Sequence, residues 1–347
     1  MEPVDMSALD ASSRLITHHQ ITIDTKFRTQ SLDEKSKAQC ICPIPTMRTL
    51  STLIMEQKGL VHTYQNGEIS LTLQDVNTYT TRKDKEATHL VLLVNIVNKN
   101  GSITVIKNTK TKRRQEISPN HHVGEGYEVS SHIVISLSGD NRTYDMVYIP
   151  APKVSTGRMN GFLDRILFEI SRKHEDKFTQ NTATNVISPK TNKPIKVFFK
   201  PVFNLKGKLD KELLKKISSE GLTDVTLMRN EFSVINAPDV NKAIIPKEST
   251  LRITPNHGSQ DVISWVRGIA SYFEKDNNGG YDLIRIKFKE PDTNAIRQAE
   301  WKTSNIKLDG LEKTFIKKSI LDGFTSRLKD SYDSIDHETA CKMIHVM

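Results

Sequence analysis

Five short runs in the first half of the chain constrain its fold most: EISLTLQDV (68–76), THLVLLVNIV (Thr88–Val97), SITVIKN (Ser102–Asn108), EVSSHIVISL (Glu128–Leu137) and RTYDMVYIP (Arg142–Pro150). Each is rich in β-branched and aromatic residues and bounded by Gly, Asn, Asp or Pro, the pattern of strands separated by turns. Asn98-Lys99-Asn100-Gly101 predicts a tight turn joining the second run to the third, and Ser138-Gly139-Asp140-Asn141 one joining the fourth to the fifth. A β-rich domain over 46–152, closing at Pro150-Ala151-Pro152, follows. Residues 1–45 are polar and read as irregular, with one short strand at Gln20–Phe27.

The period then changes. Met159, Phe162, Leu163, Ile166, Leu167 and Ile170 fall at helical spacing behind Ser155 or Thr156 as N-cap, so 153–185 reads as a connecting helix with one packed face. Arg158, Arg165 and Arg172 recur every seven residues and share the other face, with Lys173 beside the last; Glu169, four after Arg165, is placed to neutralise part of that row. Over 186–347, strand Pro194–Phe203, helix Leu209–Ser219, strand Asp224–Met228, strand Thr250–Thr254, helix Ser259–Lys275 and strand Tyr281–Lys289 follow in the order β-α-β-β-α-β. That order predicts a ferredoxin-like (split βαβ) C-terminal domain, completed by terminal helices at Leu311–Tyr332 and Asp336–Met347. The class expected is therefore α+β. A chain of 347 residues has room for two domains, because single cores stop growing at roughly 250 to 300 residues.

Charge narrows the function. Lys and Arg number 50 against 41 Asp and Glu, a net charge of +9. Residues 151–200 alone carry 10 basic and 4 acidic side chains, so two thirds of the excess sits in one seventh of the chain. Clustered positive potential is the footprint of a polyanion partner, nucleic acid above all. No window reaches the ~18 apolar residues of a membrane-spanning helix, and the N-terminus lacks the pattern of a secretory signal. Three cysteines cannot form an even disulfide framework, which fits a reducing compartment. A cytoplasmic protein without membrane insertion is expected.

Four basic sets are the candidate contacts. On strand 283–289, alternation puts Arg285, Lys287 and Lys289 on one face and Ile284, Ile286 and Phe288 on the other. On strand 194–203, Lys196 and Lys200 share a face with Phe198, and Lys206 and Lys208 follow in a stretch without carboxylates between Asp176 and Asp210. Lys107, Lys110, Lys112, Arg113 and Arg114 occupy eight positions with no acid among them, on a loop after a strand. The arginine row Arg158, Arg165 and Arg172, with Lys173, is the fourth. None carries a sequence-reading signature, so contacts to phosphates and steep salt dependence are expected.

Catalytic patterns are weak. Cys40-Ile41-Cys42 has no second pair at zinc-site spacing, and no phosphate-binding loop, dinucleotide glycine motif or nucleophile elbow occurs. No metal, cofactor or catalytic residue is assigned. The enzymatic alternative is a nuclease toxin or effector with an atypical site at His121, His122, Glu125 and Glu128. The other alternative is an interaction scaffold whose basic helix docks an acidic partner protein.

In the C-terminal half, VFFKPVFNLKGKLDKELLKKISSEGLTDVTLMRN, then YDLIRIKFK, then ETACKMIHVM follow a β-rich lobe. That order, over about residues 85–347, resembles the RexA-like proteins of phage exclusion systems and, more distantly, the KwaB proteins of Kiwa defence systems. The resemblance implies a homodimeric, sequence-nonspecific binder of duplex DNA in anti-phage defence, working with a partner protein encoded alongside. It supplies no catalytic motif.

Overall fold

The structure, a computed structural model, describes residues 10–28, 42–81, 85–101, 103–120, 123–140, 142–181, 196–210, 222–229, 249–254, 262–273, 280–289, 296–303 and 316–347. The chain is α+β and strand-rich, and divides into two compact units. The larger comprises Ala8–Lys206 and Lys318–Met347; the smaller, Gly207–Lys317, is inserted between those two segments.

In chain order the larger unit holds β1 (Arg14–Phe27), α1 (Met47–Met55), β2 (Val61–Tyr64), β3 (Ile69–Tyr79), β4 (His89–Asn98), β5 (Thr104–Lys107), β6 (Arg114–Ile117), β7 (Tyr127–Ser136), β8 (Thr143–Tyr148), α2 (Thr156–Lys173), β9 (Thr179–Asn181) and β10 (Lys196–Gly207). The smaller unit holds β11 (Leu222–Arg229), β12 (Ser249–Ile253), α3 (Val262–Phe273), β13 (Leu283–Lys289) and β14 (Ile296–Lys302). The chain then returns to the larger unit with β15 (Lys318–Leu321) and α4 (His337–Val346). Among the described residues, no helix is long and apolar enough to cross a membrane.

A nine-stranded sheet in the order β2-β3-β4-β7-β8-β1-β10-β9, with β15 also paired to β1, forms the larger unit. Its middle strands are buried on both faces, which is why THLVLLVNIV is almost continuously apolar. Leu90, Leu92, Val94 and Ile96 of β4 join Ile133 and Ile135 of β7 in a core closed by α1 and α2. Val91, Val134 and Val147 point the other way, onto Leu321 and the α4 residues Ala340 and Met343. Ser155 caps α2 by accepting the Arg158 N–H, and Met159, Phe162, Leu163, Ile166, Leu167 and Ile170 are its buried stripe, as the spacing predicts.

The segment before α4 is held to the second face by polar groups. The Ser130 N–H donates to the Asp330 carbonyl and the Tyr332 N–H to Ser130 Oγ. Asn95 Nδ2 donates to the Tyr332 carbonyl, and the Asp336 N–H donates to His132 Nε2 at 3.1 Å. His132 is 1% exposed, and burial pushes its pKa down to about 4, Asp336 opposing and Arg14 adding to the shift. The ring therefore stands neutral and accepts.

Several expectations change. The N-terminal segment is not irregular around one short strand: β1 runs fourteen residues and pairs with β8 and β15. Its adjacent buried histidines, His18 and His19, break the alternation that would have revealed it. The run after Gly101 does not pair with its predecessor, because β3 and β7 occupy both edges of β4; β5 pairs with β6 instead. The hairpin of β7 and β8 forms as expected.

The strand expected to open a ferredoxin-like domain is β10, and it lies in the nine-stranded sheet, its Phe199 and Phe203 buried in the larger core. The smaller unit is instead an antiparallel sheet in the order β12-β11-β13-β14, with Val225, Leu227, Ile284 and Ile286 buried against Val266 and Ala270 of α3. Expected boundaries near 152 and 186 give way to the division at Gly207 and Lys318. The helix expected over Leu311–Tyr332 is, where described, the strand β15 and irregular chain, whereas Asp336–Met347 is helical as α4. The helix expected over 209–219 lies almost wholly outside the described residues.

Candidate nucleic-acid interface

The acid-free run 107–114 forms the end of a ribbon. β5 and β6 pair antiparallel, Thr104 with Ile117, Val105 with Glu116, Ile106 with Gln115 and Lys107 with Arg114. Every residue from Ile103 to Ser118 is exposed. The tip is ordered by its own hydrogen bonds: Asn108 Oδ1 accepts the N–H groups of Lys110 and Thr111, the Asn108 N–H donates to the Arg113 carbonyl, and Lys112 takes the left-handed conformation at φ +61°. At the root, the Tyr127 hydroxyl accepts the Thr104 N–H at 3.2 Å and donates to the Ile117 carbonyl at 2.6 Å, gripping both strands. Gly101 lies against the Tyr127 ring, where a Cβ would come within 2.3 Å of Cδ2. Among the described residues, Lys107, Lys110, Lys112, Arg113 and Arg114 make no ion pair.

The arginine row of α2 is largely compensated. Glu169 bridges Arg165 and Arg172, Glu56 of the α1 end takes Lys173 at 3.1 Å and His174 at 3.0 Å, and Arg158 donates to the Lys153 carbonyl. Hydrogen bonding from Lys173 holds the Glu56 carboxyl below its ordinary pKa, with burial opposing. Arg165, Lys200 and Arg28 all lie over the Phe168 ring, at 5.2, 5.3 and 5.5 Å from its centroid. The structure thus joins Arg165 and Lys200, expected from two separate elements, into one seam, and adds Arg28. Arg28 also lies 6.0 Å from the Phe198 centroid, donates to the Ser171 carbonyl and pairs with Glu175. Nothing in the spacing marks Arg28, which follows β1 in a region without visible periodicity.

Lys196 and Lys206 are exposed on β10, and Lys208 lies half-buried at the start of the smaller unit, its carbonyl accepting the Lys317 N–H. On the outer face of the smaller sheet, Arg285 is held by Glu300 of β14 in two bonds of 2.7 and 2.9 Å. Lys287 lies opposite Asp224 of β11, whose carboxylate also takes Arg252 at 2.8 Å. The alternation along β13 is real, but Arg285 is paired with a carboxylate on a neighbouring strand and Lys287 stands in register with Asp224. The side chain of Lys289 is outside the described residues.

Tyr64 of β2, Ile69, Asn98 and Tyr127 are successive partners across the sheet, and the Tyr64 hydroxyl donates to the Arg158 carbonyl. Arg158 therefore lies at the same end of the sheet as the ribbon root, Tyr64 and Tyr127 themselves being three strand spacings, roughly 14 Å, apart. Arg165 and Arg172 follow Arg158 by about 10 Å and about 21 Å along the helix axis.

Of the residues considered for hydrolysis, His121 and His122 lie outside the described residues. Glu125 accepts the Asn120 N–H, and Glu128 accepts from Asn95 and Ser331, so both carboxylates serve the local structure. Among the described residues, Cys42 and Cys341 form no disulfide, and Cys40 lies outside the described residues. Among the described residues, no group of three His, Cys, Asp or Glu side chains is placed to hold a metal ion. Compared with protein-family models, curated proteins and solved structures, the chain matches none.

Proposed function

We propose that the chain is a sequence-nonspecific nucleic-acid-binding protein, acting on duplex DNA in an anti-phage defence or exclusion system as a homodimer with a partner protein. The observation that carries the binding is the ribbon end, where five cations stand exposed without ion pairs among the described residues. Unpaired cations gain most from a phosphate chain, since no existing bridge has to break and condensed counterions are released. The exposed Lys196 and Lys206 add to that potential, as does Arg158 at the ribbon's end of the sheet. The compensated cations of α2 and β13 contribute less. The defence setting, the dimer and the partner rest on the RexA-like resemblance alone.

Fluorescence anisotropy with two unrelated duplexes of equal length tests this. Similar affinities for both are expected, with a loss of ~10³-fold or more between about 50 and 200 mM salt if six or more phosphates are engaged. Absence of binding at low ionic strength overturns the reading.

A further inference from the structure

We propose that the β5–β6 ribbon is an arm that lies in the major groove of a duplex, with its uncharged face on the base edges and its cations on the phosphate walls; this rests on the nucleic-acid reading above. The register sorts the ribbon into two faces. Thr104, Ile106, Gln115 and Ile117 share one, and Val105, Lys107, Arg114 and Glu116 share the other. The first face carries no charge, yet Ile106 is 54% and Ile117 43% exposed. Glu116 is the single carboxylate between Ile103 and Ser118.

Dimensions select the groove. Two strands lie about 4.8 Å apart, and four paired residues span about 13 Å. A major groove ≈ 12 Å wide and ≈ 8.5 Å deep admits such a ribbon, whereas a minor groove ≈ 6 Å wide does not. Seated there, Lys107 on one strand and Arg114 on the other reach opposite phosphate walls, while Lys110, Lys112 and Arg113 cross one backbone at the turn. Ile106 and Ile117 meet thymine methyls and other apolar edges, and only Thr104 and Gln115 on that face can bond a base edge, so the contact reads duplex form with little sequence preference. A single strand is the poorer fit, because binding single strands without sequence preference relies on aromatic stacking and residues 103–118 contain no aromatic side chain. The Tyr127 grip on both strands holds the arm before binding, which lowers the ordering cost.

The test uses the full chain, two unrelated duplexes, the matching single strands and guanine N7 methylation, which reports the major groove. Wild type is expected to prefer duplex and to protect N7. The triple substitution Lys110→Ala, Lys112→Ala, Arg113→Ala should weaken duplex binding by ~10²- to 10³-fold near 0.1 M salt and flatten the salt slope by about 2.7. Ile106→Asn should weaken binding with the slope unchanged. All four positions are exposed, so an unchanged melting temperature verifies the fold. If the duplex binds while N7 stays reactive, or the triple variant binds like wild type, the arm is overturned and the nucleic-acid reading stands. If polyglutamate displaces the duplex more effectively than competing DNA does, the arm is likewise overturned, in favour of an acidic protein partner. If nothing binds at low salt, both readings fall.

Discussion

Two buried histidines make the fold acid-sensitive. Burial pushes His19 and His132 each down to about 4, His18 adding to the shift at His19. An unfolded histidine titrates near 6.5, so between about pH 6.5 and 4 the unfolded chain binds protons that the folded chain does not. Stability is therefore full above about pH 6.5 and falls as the pH drops toward 4. Thermal melts across that range should show the decline, and His132→Gln, which retains an acceptor for the Asp336 N–H but cannot be protonated, should flatten it; an equally steep decline in the variant would exclude His132 as a cause. At the ribbon root, Gly101→Ala must displace the Tyr127 ring. Faster amide exchange over 103–118 is expected, with global melting little changed. Neither effect was legible in sequence, where His132 is one polar residue in an apolar strand and Gly101 one glycine in a turn.

For the elements, binding strength depends on whether neighbours already satisfy a cation. Arg165→Ala and Arg172→Ala remove side chains bridged by Glu169, and are expected to change the salt slope of DNA binding far less than the same number of substitutions at the ribbon tip. An equal or larger loss from the helix pair would shift the interface to the seam around Phe168. The stability of α2 is a separate matter: Ser155→Ala should cost about 1 kcal/mol through its cap, and Phe162→Ala about 3–5 kcal/mol through the cavity it leaves, both read by denaturant unfolding. The helix, its N-cap and its buried stripe were legible because all three follow from spacing within one element. The pairing of Arg285 with Glu300 was not, because alternation along β13 places Arg285 on a face without saying which strand lies beside it.

Across the whole molecule, the smaller unit is an insertion into the larger. The Lys317 N–H donates to the Lys208 carbonyl at 2.8 Å, so the insertion leaves and re-enters at neighbouring points. Joining Lys206 to Lys318 through a short Gly-Ser linker should therefore leave a cooperatively folding, β-rich protein, checked by circular dichroism and a single melting transition. Ending the chain at Leu321 should have the opposite effect, exposing Val91, Val134 and Val147 by removing Ala340 and Met343, with aggregation or a lowered melting point as the outcome.

The amino-acid sequence by itself determined that the chain is strand-rich with a long amphipathic helix, and that residues 107–114 carry five cations and no acid. Those are properties of spacing and composition within a few neighbours, and local sterics and burial act at that range. Only the tertiary structure decided that β10 completes the large sheet, that the last thirty residues return to cover it, and that Glu56 and Glu300 neutralise cations on other elements while the ribbon keeps its own unpaired. Each of those outcomes depends on which distant segments meet, and a strand's period records its faces but not its partners.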